Sequence, residues 1–300
     1  MDTSSTQSSA TGTGLSIIIT HYQTPDILKT CLENVRAFAP AAKLLVVDSS
    51  SGTDTRLKLE TFLDGVTFIK TANHSMASVV NEGLKRTDTP YILQMNADVY
   101  IREDTVAALL KRLRHKDVGM VGPICVNASG KRQRQGLFYE RFYYLMKLFR
   151  SKSVPVYWLS GCCQMIKREA LEQVGGMNAS YRFYNEDMEW CWRLRRHRLH
   201  CELVDVTVTH LGGSATPDDP RFLIEGYRGG MQLSKQYKPK SFQRLHRLFV
   251  IAEAWLKSNT AKSDTARRSY ATISRMFRRR QFEESPFGKT LTETNPNFRL

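Results

Sequence analysis

Three acids crowd the stretch Asn185-Glu186-Asp187-Met188-Glu189, and another, Asp98, interrupts the apolar run of Leu93-Gln94-Met95-Asn96-Ala97-Asp98-Val99. A carboxylate within reach of a bound hydroxyl can act as a general base. A carboxylate where a buried strand ends can hold a hard divalent cation, and through it neutralise a diphosphate. Acids at a helix N-terminus also arise merely to complement the helix dipole, worth about 0.3–1 kcal/mol each, so the residues alone leave both readings of 186–189 open. Phe183 and Tyr184 precede the acids while Trp190 and Trp192 follow them, enough aromatic surface for one wall of a site. His210 closes another apolar stretch just before Leu211-Gly212-Gly213, and neutral imidazole is a good metal ligand.

The elements that must position these groups alternate in type. Strand-like runs at 15–19, 43–48, 66–69, 91–95 and 118–124 are separated by helical patterns. The first helix is announced by Thr24-Pro25, an N-cap and N1 pair, and Thr53–Leu63, Ser75–Arg86 and Glu103–His115 supply the next three. Continuous rather than alternating apolar strands predict a mostly parallel sheet covered on both faces by helices. Ligands bind such sheets beyond the carboxyl ends of the strands, where Thr20-His21, Asp48 and Asn96/Asp98 fall. In the second half, 157–171 reads as a strand leading into a helix, 185–197 as a short helix, and 200–210 as a half-buried strand. From about Asp219 the chain reads as helical.

Bulk properties exclude several classes. With 300 residues, 41% apolar and 24% charged, the chain is neither disordered nor collagenous. No apolar run approaches the ~20 residues needed to span a bilayer. The start, MDTSSTQSSATGTG, has no basic or apolar signal-peptide region and reads as a disordered lead-in over 1–14. Six cysteines without a Cys-x-x-Cys pair fit a reduced, cytoplasmic protein. The net charge of +15 is concentrated late, with fifteen Lys/Arg against five Asp/Glu between 231 and 300, and favours an anionic partner. In 136–150 and 242–258, apolar residues at helical spacing are interleaved with arginine and lysine, a pattern that covers a core or rests on an anionic membrane face.

Taken in order, these segments resemble the family 2 nucleotide-sugar glycosyltransferases of the GT-A fold, in particular the rhamnosyltransferase-like branch. SIIITHYQTPDILKTCLENV is similar to the family's opening strand and helix, KLLVVDSSSGTDT to its VVDN-S-D segment, and ANHSMASVVNEG to its N-G-x5-N-x-G stretch. LQMNADVYI resembles the LNPDV form of its metal motif. WLSGCCQMIKREALEQVGGMNASYRFYNEDMEWCWRLRRH and VTVTHLGGSA complete the series. Departures are Gln23 for an asparagine, Ser75 for a glycine, Asn96 for an aspartate, and Met177-Asn178-Ala179 for Phe-Asp-Glu.

The resemblance implies a GT-A catalytic domain over 15–215, with a nucleotide-sugar half (15–125) and an acceptor half (126–215), followed by a basic helical extension over 216–300. It implies Asp187 as general base supported by Glu186, and Asp98 and His210 as contacts to Mg2+ or Mn2+. Donor contacts would come from Thr20, Tyr22, Asp48, Asn73, Asn81 and Asn96, with Asp48 at a uracil or thymine base. Acceptor contacts would come from Trp158, Glu189 and Trp190. The implied activity is inverting transfer from a UDP- or dTDP-sugar to a hydroxyl of a glycan or lipid-linked saccharide, at the cytoplasmic membrane face if the basic extension binds there. Two alternatives remain: a basic nucleic-acid-binding protein, which lacks a finger, RNP or KH motif to match its charge, and a catalytically inactive sugar-nucleotide-binding homologue. A dinucleotide-binding enzyme is excluded, because Thr20-His21-Tyr22-Gln23-Thr24 stands where a G-x-G-x-x-G turn belongs.

Overall fold

The computed structural model describes residues 14–51, 55–133, 153–213 and 219–288. The lead-in at 1–13 and the aromatic stretch 136–150 lie outside them. β1 (Leu15–His21) is buried along its whole length, as a central strand of β-branched residues should be. It runs parallel to β2 (Lys43–Asp48) on one side and to β4 (Tyr91–Asn96) on the other, while β3 (Val66–Lys70) extends the sheet beyond β2. Parallel neighbours need crossovers. These are α1 (Pro25–Phe38), a pair of short turns comprising α2 (Thr55–Lys58) and a 3-10 turn at Glu60–Phe62, and α3 (Met76–Leu84). The single helix expected over 53–63 is therefore broken in two. Ser75, where the resemblance leads one to expect glycine, caps α3: its hydroxyl accepts from the Ser78 amide at 3.0 Å, and the Ser78 hydroxyl accepts in return from the Ser75 amide.

Beyond β4 the sheet becomes mixed. β5 (Val99–Tyr100), α4 (Thr105–Leu113), β6 (Val118–Val126), β7 (Ser153–Val156), β8 (Cys163–Lys167), α5 (Arg168–Val174), α6 (Glu186–Arg196) and β9 (His200–His210) follow. The nine strands order as β3-β2-β1-β4-β8-β6-β9-β5, with β7 on β9. Strands β8, β5 and β7 run antiparallel to their neighbours, and β6 pairs parallel with β9. The strand expected from residue 157 starts only at Cys163. Side chains occupy the groups before it: Gln164 binds the Leu159 carbonyl at 2.8 Å, and the Gly161 amide donates to Asp187.

One apolar cluster fills each face of the sheet, α1 and α4 covering the first and α3, α5 and α6 the second. The basic extension forms α7 (Pro220–Tyr237), α8 (Lys240–Thr260) and α9 (Asp264–Arg279) around a small core of its own that includes Met231, Val250, Ile273 and Phe277. Connections from β1 lead one way to β2 and from β3 the other way to β4, so the gap between β1 and β4 is the switch point of the sheet. A ligand crevice opens at the carboxyl ends of strands flanking such a point.

Candidate active site

A cleft of about 610 Å³ opens at that position. Its floor is Thr20 and His21 from the end of β1 and Asn96-Ala97-Asp98 from the turn after β4. Thr20 and Asn96 are register partners, and the Thr20 hydroxyl donates to the Asn96 Oδ1 at 3.2 Å. The break in the apolar run is thus the tight turn between β4 and β5. Pairing of Val99 with His210 then brings Asp98 to the end of β9. The His210 Nε2 lies 3.4 Å from Asp98 Oδ1, and the Gly212 amide donates to Asp98 Oδ2 at 3.2 Å.

Gln133, which sequence reasoning missed, fixes the imidazole. Its Oε1 accepts from His210 Nδ1 at 2.6 Å, while its Nε2 donates to the His210 carbonyl at 2.9 Å. Without a metal, the imidazole is protonated and its Nε2 faces Asp98 as a cation; a divalent ion would displace that proton, and the Nδ1–H held by Gln133 would leave Nε2 as the ligating atom. Burial alone would lower the His210 pKa, but hydrogen bonds to Asp98 and Cys162 outweigh it and raise it to about 10. No cluster of three or more His, Cys, Asp or Glu occurs among the described residues. One carboxylate and one imidazole nevertheless fit a divalent ion that takes its other ligands from phosphate and water, as Mg2+ does in many nucleotide sites.

Across the cleft, α6 presents Glu186 and Asp187. Its apolar face, Trp190, Cys191 and Leu194, is fully buried against the sheet, which leaves the N-terminus at the cleft. The chain enters the helix through two left-handed residues, Tyr184 at φ 66° and Asn185 at φ 71°. Asn185 makes no capping bond; its amide reaches the Gly226 carbonyl on α7 instead, at 3.1 Å. Tyrosine seldom adopts such a φ, and strain of this kind costs about 1–3 kcal/mol and gathers at functional sites. The half-buried Asp187 accepts from the Gly161 amide at 2.8 Å and the Met188 amide at 2.7 Å. Gly161 permits the approach, since a Cβ there would lie 3.2 Å from that of Asp187. Burial pushes the Asp187 carboxyl up to about 6 against these two donors, and it also raises Glu186, whose Oε2 is buried without a partner. A base with a pKa near 6 is mostly ionised at neutral pH yet still takes up a proton. Turnover is expected to fall as pH drops through about 6, well above the ordinary aspartate range, because protonated Asp187 cannot accept. A pH–kcat profile with its acid limb near 4 would contradict this.

The third wall is aromatic. Phe183, Phe222 at the start of α7, and Phe287 from the far end of the described chain form a triangle of rings with centroids 4.8–4.9 Å apart. The Arg221 guanidinium covers Phe287 at 5.0 Å. Phe287 carries no sequence signal of its own; only the chain path places it here.

Tyr22, Asn73, Glu186 and His210 also line the cleft, as expected for site residues. Five other expected residues, Asp48, Asn81, Trp158, Glu189 and Trp190, do not line the cleft. Asp48 is fully buried beside the cleft rather than in it. It accepts from His21 Nδ1 at 2.9 Å, from Lys70 at 2.8 Å, and from the Ser50 amide and hydroxyl. Burial opposes its ionisation, but the bonds from His21, Lys70 and Ser50 prevail and hold its carboxyl below the usual range. His21 Nε2 in turn accepts from the Thr24 amide at 3.0 Å, so Asp48 sets the loop at 21–24, where Gln23 stands at φ 55°. Asn81 bridges to Met177 through both amide groups at 2.8 Å. Trp190 is in the core with its indole N–H on the Gly175 carbonyl at 2.9 Å. Glu189 is buried against Arg193 at 2.9 Å and also accepts from the Tyr237 hydroxyl. Trp158 packs on the second core cluster. Asn81→Ala is therefore expected to lower unfolding free energy by about 1–3 kcal/mol, the cost of stranding two buried backbone groups. Donor affinity should remain. A normal denaturation midpoint with weakened donor binding would restore Asn81 to the ligand.

The strand order and the cleft at the switch point are those of an α/β GT-A-like fold. Residues 16–175 match the family Glycosyl transferase family 2, more than half of the chain, and the protein belongs to that family. It is 25% identical over 264 residues to the low-salt glycan biosynthesis hexosyltransferase Agl10 of Haloferax volcanii, covering 81% of this chain and 83% of that one. Among solved structures, the mannosyltransferase PcManGT from Pyrobaculum calidifontis in complex with GDP-Man and Mn2+ superposes with a TM-score of 0.57 at 18% identity, over 88% of this chain and 84% of that one. GalNAc-T7 with UDP, GalNAc and Mn2+ superposes with a TM-score of 0.63 at 13% identity. The match covers 89% of this chain and 54% of that one. These likenesses carry the family and the fold; none singles out the rhamnosyltransferase branch. No helix among the described residues is long and apolar enough to cross a membrane.

Proposed function

We propose that the protein is an inverting glycosyltransferase of glycan biosynthesis, moving a hexose from a nucleoside diphosphate sugar to a hydroxyl of a glycan or lipid-linked saccharide. The observation that carries this reading is the sharing of one cleft by Asp187 and by the Asp98–His210 pair, the first suited to remove a proton and the second to face a diphosphate. The Gly161 and Met188 amides orient Asp187, which takes the proton of the acceptor hydroxyl as its oxygen attacks the anomeric carbon. The bond to the diphosphate oxygen breaks on the opposite side, and inversion follows. Asp98 and His210 would hold Mg2+ or Mn2+, whose charge stabilises the departing diphosphate when bound. Thr20, Tyr22, Asn73 and Asn96 are positioned for the nucleoside and phosphates, and the ring triangle for the acceptor sugar. The likeness to a structure holding GDP-Man adds GDP-sugars to the UDP- and dTDP-sugars implied by the sequence.

A thermal-shift screen of UDP-, dTDP- and GDP-sugars with Mn2+ and Mg2+ tests site and donor class together. Product from the stabilising donor, followed by NMR, should show the inverted anomer. A retained anomeric configuration overturns the mechanism, and stabilisation by DNA but by no sugar nucleotide would favour the nucleic-acid reading.

A further inference from the structure

Beside the cleft, α7 and α8 frame an apolar groove of about 850 Å³. Two of its lining residues, Tyr184 and Phe222, also line the cleft, so the groove and the cleft are continuous. From the groove, which Leu245 and Phe249 help to line, α8 turns a largely exposed apolar face outward. Leu245 and Phe249 are each 67% exposed, Trp255 is 58%, and Leu248 and Leu256 are 55%. At 100° per residue these five fall within a single arc of the helix, while Val250 and Ala254 on the opposite side are buried in the extension's core and Ile251 packs against it. The exposed Arg244 borders one edge of the arc, with Lys240 further round, and the Glu253–Lys257 ion pair borders the other. Between 240 and 288 the chain has eleven Lys/Arg against four Asp/Glu.

We infer that this face of α8 docks on an anionic lipid bilayer, seating the protein with its cleft open at headgroup level. An exposed apolar arc bordered by basic residues is the physical signature of a helix lying in a membrane interface: the side chains enter the acyl boundary while the cations meet anionic headgroups. Charge decides between occupants. A second copy would bring the same net-positive extension against this one, whereas an anionic surface neutralises it. The inference rests on the sequence and shape of the extension rather than on the catalytic reading. Where the two hold together, the groove is the route by which an apolar chain on the acceptor lies beside the cleft while its sugar enters.

The test is flotation of the full-length protein with vesicles of phosphatidylcholine alone and of phosphatidylcholine with phosphatidylglycerol. Binding is expected to the mixed vesicles and to weaken as salt rises. Leu245→Ser with Phe249→Ser should reduce partitioning by at least about tenfold, since each side chain loses its transfer free energy. Both positions are exposed, so the fold should persist by circular dichroism. Lys240→Glu with Arg244→Glu, a second pair at exposed positions, should remove the preference for anionic vesicles. Failure of the wild-type protein to float, or unchanged flotation of both double variants, overturns the inference. Light scattering that shows a dimer split by Leu245→Ser, with no vesicle binding, would assign the face to a second copy. Turnover of a water-soluble acceptor separates this result from the catalytic reading: it should be unchanged in the α8 variants even where vesicle binding is lost.

Discussion

Asp187→Asn is expected to bind donor normally and to lose about a thousandfold in kcat, within the 10²–10⁴ range that a general base supplies. The substitution keeps the shape of the side chain, and the amide oxygen can still accept from the Gly161 amide that Asp187 now holds at 2.8 Å. The nitrogen would then face the Met188 amide, at a modest cost in stability. What disappears is the basic oxygen. Burial works in the same direction: it raises the Asp187 carboxyl to about 6, so removing the charge relieves a desolvation cost and the variant should be no less stable by more than that single lost bond. Donor affinity by calorimetry, kcat by release of the nucleoside diphosphate, and melting temperature are to be measured together. Near-normal kcat would remove Asp187 from the base role and leave the adjacent Glu186, with its unpartnered Oε2, as the next group to substitute. A loss confined to KM would assign Asp187 to acceptor binding instead.

Asp98→Ala should act on the other end of the reaction. Donor affinity in the presence of Mn2+ is expected to fall at least about a hundredfold, because charge neutralisation at the diphosphate is worth several kcal/mol. Affinity measured with chelator present should change little. The difference between the two conditions is the signal; a uniform loss would mean that Asp98 merely supports the turn through its bond with the Gly212 amide. Gln133→Ala offers a graded companion. It leaves Asp98 and His210 in place but frees the ring whose Nδ1 it now holds at 2.6 Å, and Mn2+ affinity should weaken about tenfold, as is usual when the outer partner of a ligating histidine is lost. If Gln133→Ala has no effect while Asp98→Ala does, His210 does not ligate.

The parallel half of the sheet was legible because its physics is local. Ile17-Ile18-Ile19 and Leu44-Leu45-Val46-Val47 are continuous apolar runs, and such runs are stable as strands only when both faces are covered. The break at Asn96-Ala97-Asp98 could be read for the same reason, as polar residues at the end of a buried strand. The entry to α6 was less clear. A run of acids after an asparagine reads as a capped helix start, yet Asn185 adopts φ 71° and spends its side chain on α7, a contact set by a helix some forty residues downstream. Trp190 and Glu189 show the limit from the other side. Aromatic and acidic residues beside a base look like acceptor contacts, but at one residue per 100° they point away from the cleft and into the core. Gln133 and Phe287 left no trace, since an amide in a loop and a phenylalanine near a chain end acquire meaning only from long-range contacts.

Phe287 has a consequence for how the enzyme comes into being. Its ring closes the aromatic wall against Phe183 and Phe222, and the adjoining turn is fastened to α7 through the Ser285 hydroxyl, which donates to Glu225 at 2.9 Å. A chain still on the ribosome can pair β1 with β2 and β4 and fill both faces of the sheet, but it cannot finish the cleft until its last described turn has emerged. On the proposed function, the wall offered to the acceptor sugar is the last part of the cleft to be made.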